Sequence, residues 1–150
     1  MELNKLAKAI TGKANVVLKP ASAKKLELLR SLGAPEPIIS FYECHEPSKC
    51  AEIAEARLWP IAHIVEENTN LVPGCDLHRK GFVVFATTAY GDVYCIDLNE
   101  KGHPVVLMPH ETTFSELSAT EIRCARKIVA SNFSEFLQRF ASGKIDIKPL

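Results

Sequence analysis

Residues 81–98, Gly-Phe-Val-Val-Phe-Ala-Thr-Thr-Ala-Tyr-Gly-Asp-Val-Tyr-Cys-Ile-Asp-Leu, read as two β-strands joined by a tight turn, and this reading decides the fold. Residues 82–87 are a run of β-branched and aromatic side chains, too short for a helix and nearly free of polar atoms, the pattern of a strand covered on both faces. Residues 93–98 follow the same rule. Between them, Gly91 accepts positive φ without steric cost and Asp92 bonds to nearby backbone, so the connection is a turn and the strands pair antiparallel. A third run, residues 104–108, begins with Pro104, a residue suited to a strand's first position or to an edge. The prediction is a central meander over about residues 82–108. Asp92 is a turn device within it, and Asp97 leans to the solvent face. On a regular strand two acids five residues apart point to opposite faces, which argues against a catalytic carboxylate pair.

Outward from the meander, the flanks read as helices. Ser22 is an N-cap, Leu26, Leu29 and Leu32 recur at helical spacing, and Gly33 stands at the stop position. Pro35 and Pro37 suit a first helical turn, after which Ile38, Phe41, Tyr42 and His45 continue one face until Pro47 and Ser48. Residues 14–18 are a short β-like run. Residues 50–59 suit a helix by their Ala and Glu content and a strand by their ending at Leu58-Trp59, and a strand near 56–59 is preferred. Pro60 opens a short helix in which Ile61, Ile64 and Val65 face inward and Glu66, Glu67 and Asn68 face water. Residues 75–80 read as a polar approach to the meander. On the other side, Ser118-Ala119-Thr120-Glu121 has the form of a capping box, residues 127–130 either finish that helix or form an extended link, and Asn132 caps a helix carrying Phe133, Phe136, Leu137 and Phe140 on one face. The tail from Lys144 is terminal, so fraying is its default. The expected fold is α+β, a mainly antiparallel curved sheet packed by N-terminal and C-terminal helices.

A chain of 150 residues, 47% hydrophobic and 24% charged, suits one soluble domain with one core, and no apolar run approaches the roughly 20 residues that span a bilayer. No signal-peptide pattern opens the chain, so a cytoplasmic location is expected. The five cysteines, Cys44, Cys50, Cys75, Cys95 and Cys124, are odd in number and irregularly spaced, which argues against a disulfide framework and for reduced thiols. Net charge is zero but unevenly spread. Residues 1–30 hold seven basic and two acidic groups, whereas residues 36–76 hold eight acids, Glu36, Glu43, Glu46, Glu52, Glu55, Glu66, Glu67 and Asp76, against Lys49 and Arg57. The bland reading of this acidic stretch is a solvated helix surface; the functional one is an acidic face for a basic partner. General nucleic-acid binding calls for a concentrated basic face, which the sequence does not offer.

Cys44-His45, Cys50 and Cys75-Asp76-Leu77-His78 offer soft ligands for zinc, but Cys44 to Cys50 is too wide for a short knuckle, so no metal is expected. Cys95, among apolar neighbours, reads as a core residue, and His103 and His110 read as idle loop histidines. There is no P-loop, no Gly-rich dinucleotide fingerprint and no Gly-x-Ser-x-Gly elbow. These residues favour a binding module over an enzyme, with no catalytic residue and no cofactor.

The succession of Pro35, Pro37 and Phe41-Tyr42, then Leu58-Trp59-Pro60-Ile61 with Glu66-Glu67-Asn68, then residues 82–86 with Tyr90-Gly91-Asp92 and Asp97, and finally residues 129–137, resembles the SUKH superfamily. That group includes the fungal Smi/Knr cell-wall regulators and many bacterial proteins. The likeness covers about residues 22–142 of a single domain spanning 1–150, and leaves 1–21 and the tail unassigned. It implies an α+β fold without catalytic activity. It further implies an immunity protein that binds and neutralises a polymorphic toxin of nuclease or deaminase type, or else a regulatory or scaffold protein of the Smi/Knr type; a small zinc enzyme on the Cys/His set stands third. The expected partner is a protein, with no nucleic acid and no membrane, and the chain is expected to be a monomer or weak dimer. Candidate partner-binding residues are Glu43, Glu46, Glu52, Glu55, Glu66 and Glu67 with the aromatics Trp59 and Tyr90, the aromatics only if solvent reaches them. For Trp59, burial against the sheet is the preferred reading.

Overall fold

The structure, a computed structural model, describes residues 2–149. In chain order the elements are α1 (Leu3–Ala14), β1 (Leu18–Lys19), α2 (Ala23–Ser31), α3 (Glu36–His45), β2 (Glu46–Pro47), β3 (Ala51–Ile53), β4 (Ala56–Leu58), α4 (Ile61–Asn70), α5 (Gly74–Arg79), β5 (Phe82–Thr88), β6 (Val93–Asp97), β7 (Val105–Met108), a 3-10 turn (Phe114–Glu116), α6 (Ala119–Cys124), β8 (Lys127–Ala130) and α7 (Phe133–Ala141). The fold is α+β. β3 to β8 form one antiparallel sheet in strictly sequential order, and β1 and β2 form a separate two-stranded ladder. The meander expected over 82–108 is thus the middle of a longer one.

The central strands are covered on both faces, as their unbroken apolar runs require: every residue of β6 and β7 is buried. β5 carries a bulge at Phe85, where pairing with β6 slips between Val84 and Ala86. The Phe85 ring packs edge-on against Phe136, centroids 4.9 Å apart, and against Phe133 at 5.4 Å. Tyr94 meets Phe136 from β6 at 5.2 Å. The expected aromatic stripe of α7 therefore seats that helix on the sheet, with Asn132 as its cap. The capping box at Ser118 and Glu121 is present at the start of α6.

Several expectations are corrected. Residues 1–21, left unassigned, contain a 12-residue helix, α1, which packs on α7 and β3 through Leu6, Ala7 and Ile10. Strand structure in the 14–18 run is confined to Leu18. Residues 75–80 are not an irregular approach but mostly helix α5, which packs on α4 and β5. Its first residue has a steric reason: a Cβ on Gly74 would stand 2.3 Å from the Glu67 carbonyl oxygen, so only glycine lets the two helices meet. Of the two readings left open for residues 127–130, the extended one holds: they are strand β8, because Val105, Val106 and Leu107 pair with Ala130, Ile128 and Lys127. The tail is docked: Ile145 is buried, the Tyr94 hydroxyl donates to the Asp146 carbonyl at 2.7 Å, and Lys127 Nζ meets Asp146 Oδ2 at 2.7 Å. Asp97 does not lean to solvent; it is wholly buried and its carboxylate meets Arg126 and, at 3.9 Å, Arg123. Arginines delivered by the end of α6 and the chain just after it allow a charge where sheet periodicity alone implies water.

Glu67 and Asn68 also turn inward, since α4 packs on both α5 and β5 and so buries a wider face than a single contact does. Burial pushes the Glu67 carboxyl above its usual range, reinforced by Glu66 and opposed by the Gly74 N–H. The folded protein therefore takes up a proton here at higher pH than the unfolded chain, so ionised Glu67 lowers stability at neutral pH and the loss disappears as pH falls to the unfolded value. Glu67→Gln, which keeps an acceptor for Gly74, is expected to melt above the parent at pH 7.5, with the difference shrinking toward pH 4.5, in thermal denaturation followed across pH.

Gly12, inside α1, has no neighbour within 4 Å of where a Cβ would lie. Nothing structural requires glycine there, and Gly12→Ala is expected to stabilise by about 0.5–1 kcal/mol in chemical denaturation.

Candidate functional site

Three loops meet at one end of the sheet because the strands are strictly sequential. β4 pairs with β5 so that Ala56 lies opposite Thr88, which sets the β3–β4 turn at residues 54–55 beside the β5–β6 turn at 89–92. Ala54 and Glu55 both have positive φ, 47° and 69°, so the two-residue turn is tight. The Ala89 N–H donates to the Glu55 carbonyl at 2.8 Å, and the Tyr90 hydroxyl donates to Glu55 Oε2 at 2.9 Å. Tyr90 is 54% exposed, yet anchored at both ends, its own N–H donating to Thr88 Oγ1 at 3.2 Å. The hydrogen bond to the Glu55 carboxylate holds the Tyr90 phenol above its ordinary pKa.

On the other flank, Val93 lies opposite Met108, which carries residues 109–111 alongside Asp92. Asp92 Oδ1 accepts from the His110 backbone N–H at 3.1 Å and from His110 Nδ1 at 2.7 Å. The Asp92 side chain is only 7% exposed, whereas His110 and Glu111 are open to solvent, with His110 Nε2 3.7 Å from Glu111 Oε1. Asp92 is therefore a turn residue and also the tie between two loops. A cleft of about 200 Å³ opens here, lined by Tyr90, Asp92, Pro109, His110, Glu111 and Pro149.

Of the residues proposed from sequence, Glu55 and Tyr90 come together at this end. Glu52 stands nearby on β3, its carboxylate 2.5 Å from Arg57 Nε on the paired strand. Glu43 is exposed on α3, and Glu66 is exposed on α4, where it accepts from Asn70 Nδ2 at 3.0 Å. Three others lie inside and are not available to a partner. Trp59 is 3% exposed, its ring stacked on His63 at 4.2 Å. The buried Glu46 caps α4 from a distance, Oε2 accepting the Ile61 N–H at 2.9 Å while Oε1 meets Lys25 at 3.3 Å. Glu67 is buried as described. The acidic stretch is thus divided between solvent-facing and structural carboxylates.

Asp92, His110 and Glu111 were not among the proposed residues. Meander register is the signal that finds them, since whatever follows the third strand must return beside the turn before the second.

The cysteines and histidines do not converge. The buried Cys95 thiol is pushed well above its ordinary value, chiefly by desolvation, as a core residue should be. His78 Nε2 donates to the Leu32 carbonyl at 2.8 Å, stapling α5 to the end of α2. Cys50 Sγ lies 3.7 Å from His63 Nδ1, with burial pushing the thiol up and the imidazole down, so the pair is neutral at pH 7. Among the described residues no group of three or more His, Cys, Asp or Glu is placed to hold a metal ion, and no helix is long and apolar enough to cross a membrane.

Residues 24–139 match the sequence model of the SMI1 / KNR4 family (SUKH-1). No curated protein matches the chain.

Proposed function

Since the chain belongs to the SMI1 / KNR4 family (SUKH-1), we propose that it is a non-catalytic protein-binding module acting in the cytoplasm as an immunity protein, one that neutralises a nuclease- or deaminase-type toxin by direct binding. The observation that carries this reading is the exposed Tyr90 ring held in place by Glu55. An aromatic fixed before binding loses little conformational entropy on association, which is the character of an interface anchor. Glu52, Glu43 and Glu66 supply solvent-facing negative charge, suited to steering a basic partner.

The test is capture of the tagged chain from its native cells, followed by co-expression with any nuclease or deaminase recovered. Protection of the host supports the reading. A cell-wall or signalling partner in place of a toxin, with no protection against any recovered effector, would transfer the assignment to a regulator of the Smi/Knr type. Tyr90→Ala is expected to weaken toxin binding by about 10- to 100-fold without changing the melting temperature, measured by calorimetric titration beside thermal denaturation.

A further inference from the structure

The geometry points to the Tyr90–Asp92–Glu111 cleft as a socket for an arginine side chain of a protein partner. This rests on the binding-module reading but concerns the chemistry of one pocket.

The cleft sets the carboxylates of Asp92 and Glu111 beside the exposed Tyr90 ring. Asp92 spends Oδ1 on two donors from His110, while its Oδ2 bonds to none of the described residues, although the side chain is more than nine-tenths buried. Glu111 adds an exposed carboxylate at the rim, and the Tyr90 hydroxyl proton is spent on Glu55. Two carboxylates beside an aromatic face match a cationic group that carries several donors. Guanidinium fits this description: five N–H donors in one plane and a permanent positive charge. The exposed Tyr90 ring gives that plane a face to lie on, and the cleft's roughly 200 Å³ of open space receives the apolar stem. An ammonium satisfies the charge but neither the plane nor the several separated acceptors.

The probe is N-acetyl-argininamide, titrated into the 15N-labelled full chain at pH 7.5 and low salt, with N-acetyl-lysinamide and N-acetyl-glutaminamide as comparisons. The expected result is saturating amide shifts centred on residues 90–92 and 110–111, tighter for the arginine probe than for the lysine probe and absent with glutaminamide. Glu111→Lys and Tyr90→Ala, both at exposed positions, are each expected to weaken the arginine probe by at least about fivefold while the spectrum elsewhere stays that of the parent. Shifts that fail to saturate, that scatter over the surface, that are matched by glutaminamide, or that survive both substitutions would overturn the assignment. Probe binding without any toxin partner would retain the socket and remove the immunity reading; toxin protection without probe binding would do the reverse.

Discussion

Asn68→Ala is expected to lower the unfolding free energy by about 2–5 kcal/mol, the value for leaving two buried backbone groups without partners. β5 has β6 along one side but β4 along only its last three residues, so its first half presents an unpaired edge to α4. The Asn68 amide stands in for the missing strand. Nδ2 donates to the Val84 carbonyl at 2.7 Å, and Oδ1 accepts the Val84 N–H at 3.0 Å. A further Nδ2 bond to the Ile64 carbonyl at 2.7 Å fixes the side chain to its own helix. Alanine removes all three, and Val84 is buried, so no bulk water replaces them. Urea denaturation measures the effect as a lowered midpoint with an unchanged slope. A loss below about 0.5 kcal/mol would mean that Val84 finds other partners.

Asp97→Ala is expected to cost about 3–5 kcal/mol, because it takes the buried carboxylate from the half of Arg126 that little water reaches and leaves that guanidinium only the more exposed Glu100. Arg126 Nη1 bridges Asp97 Oδ2 and Glu100 Oε2, while Asp97 Oδ1 accepts the Asn99 N–H at 2.9 Å and so shapes the turn after β6. The more exposed Glu100, bound by the same two arginines, has its carboxyl held below the usual range, chiefly by Arg126. Replacing both partners, as in Asp97→Leu with Arg126→Met, is expected to cost less than the sum of the single substitutions, since a buried pair exchanged for apolar side chains leaves no uncompensated charge. A double-mutant cycle in urea reads the coupling, and strict additivity would show that the pair does not act as a unit.

Both positions show where local pattern stops being informative. Asn68 follows two glutamates on a helix whose polar face is legible, yet it points inward because α4 lies against an edge that only strand pairing defines. Asp97 sits in a strand at a position that alternation gives to solvent, yet an arginine 29 residues later covers it. Glu46 and Glu67 were similarly beyond reach as interface candidates, since their exposure depends on the packing of elements distant in sequence, whereas Trp59 is buried as its apolar run suggested. Of the acidic candidates, Glu55 gained meaning only when the sheet set it beside Tyr90.

The sequence by itself determined the elements whose signals are local: the three central strands, the capping box at Ser118, the caps at Asn132 and Ser22, and the aromatic stripe of α7. It also determined the family, because an ordered succession of such segments is itself a one-dimensional property. Tertiary structure alone decided which polar side chains face water and which loops share an end of the sheet. Those depend on contacts between residues far apart in the chain, above all the register that brings Asp92 beside His110 and Tyr90 beside Glu55, and pairwise proximity of that kind is set by packing in three dimensions.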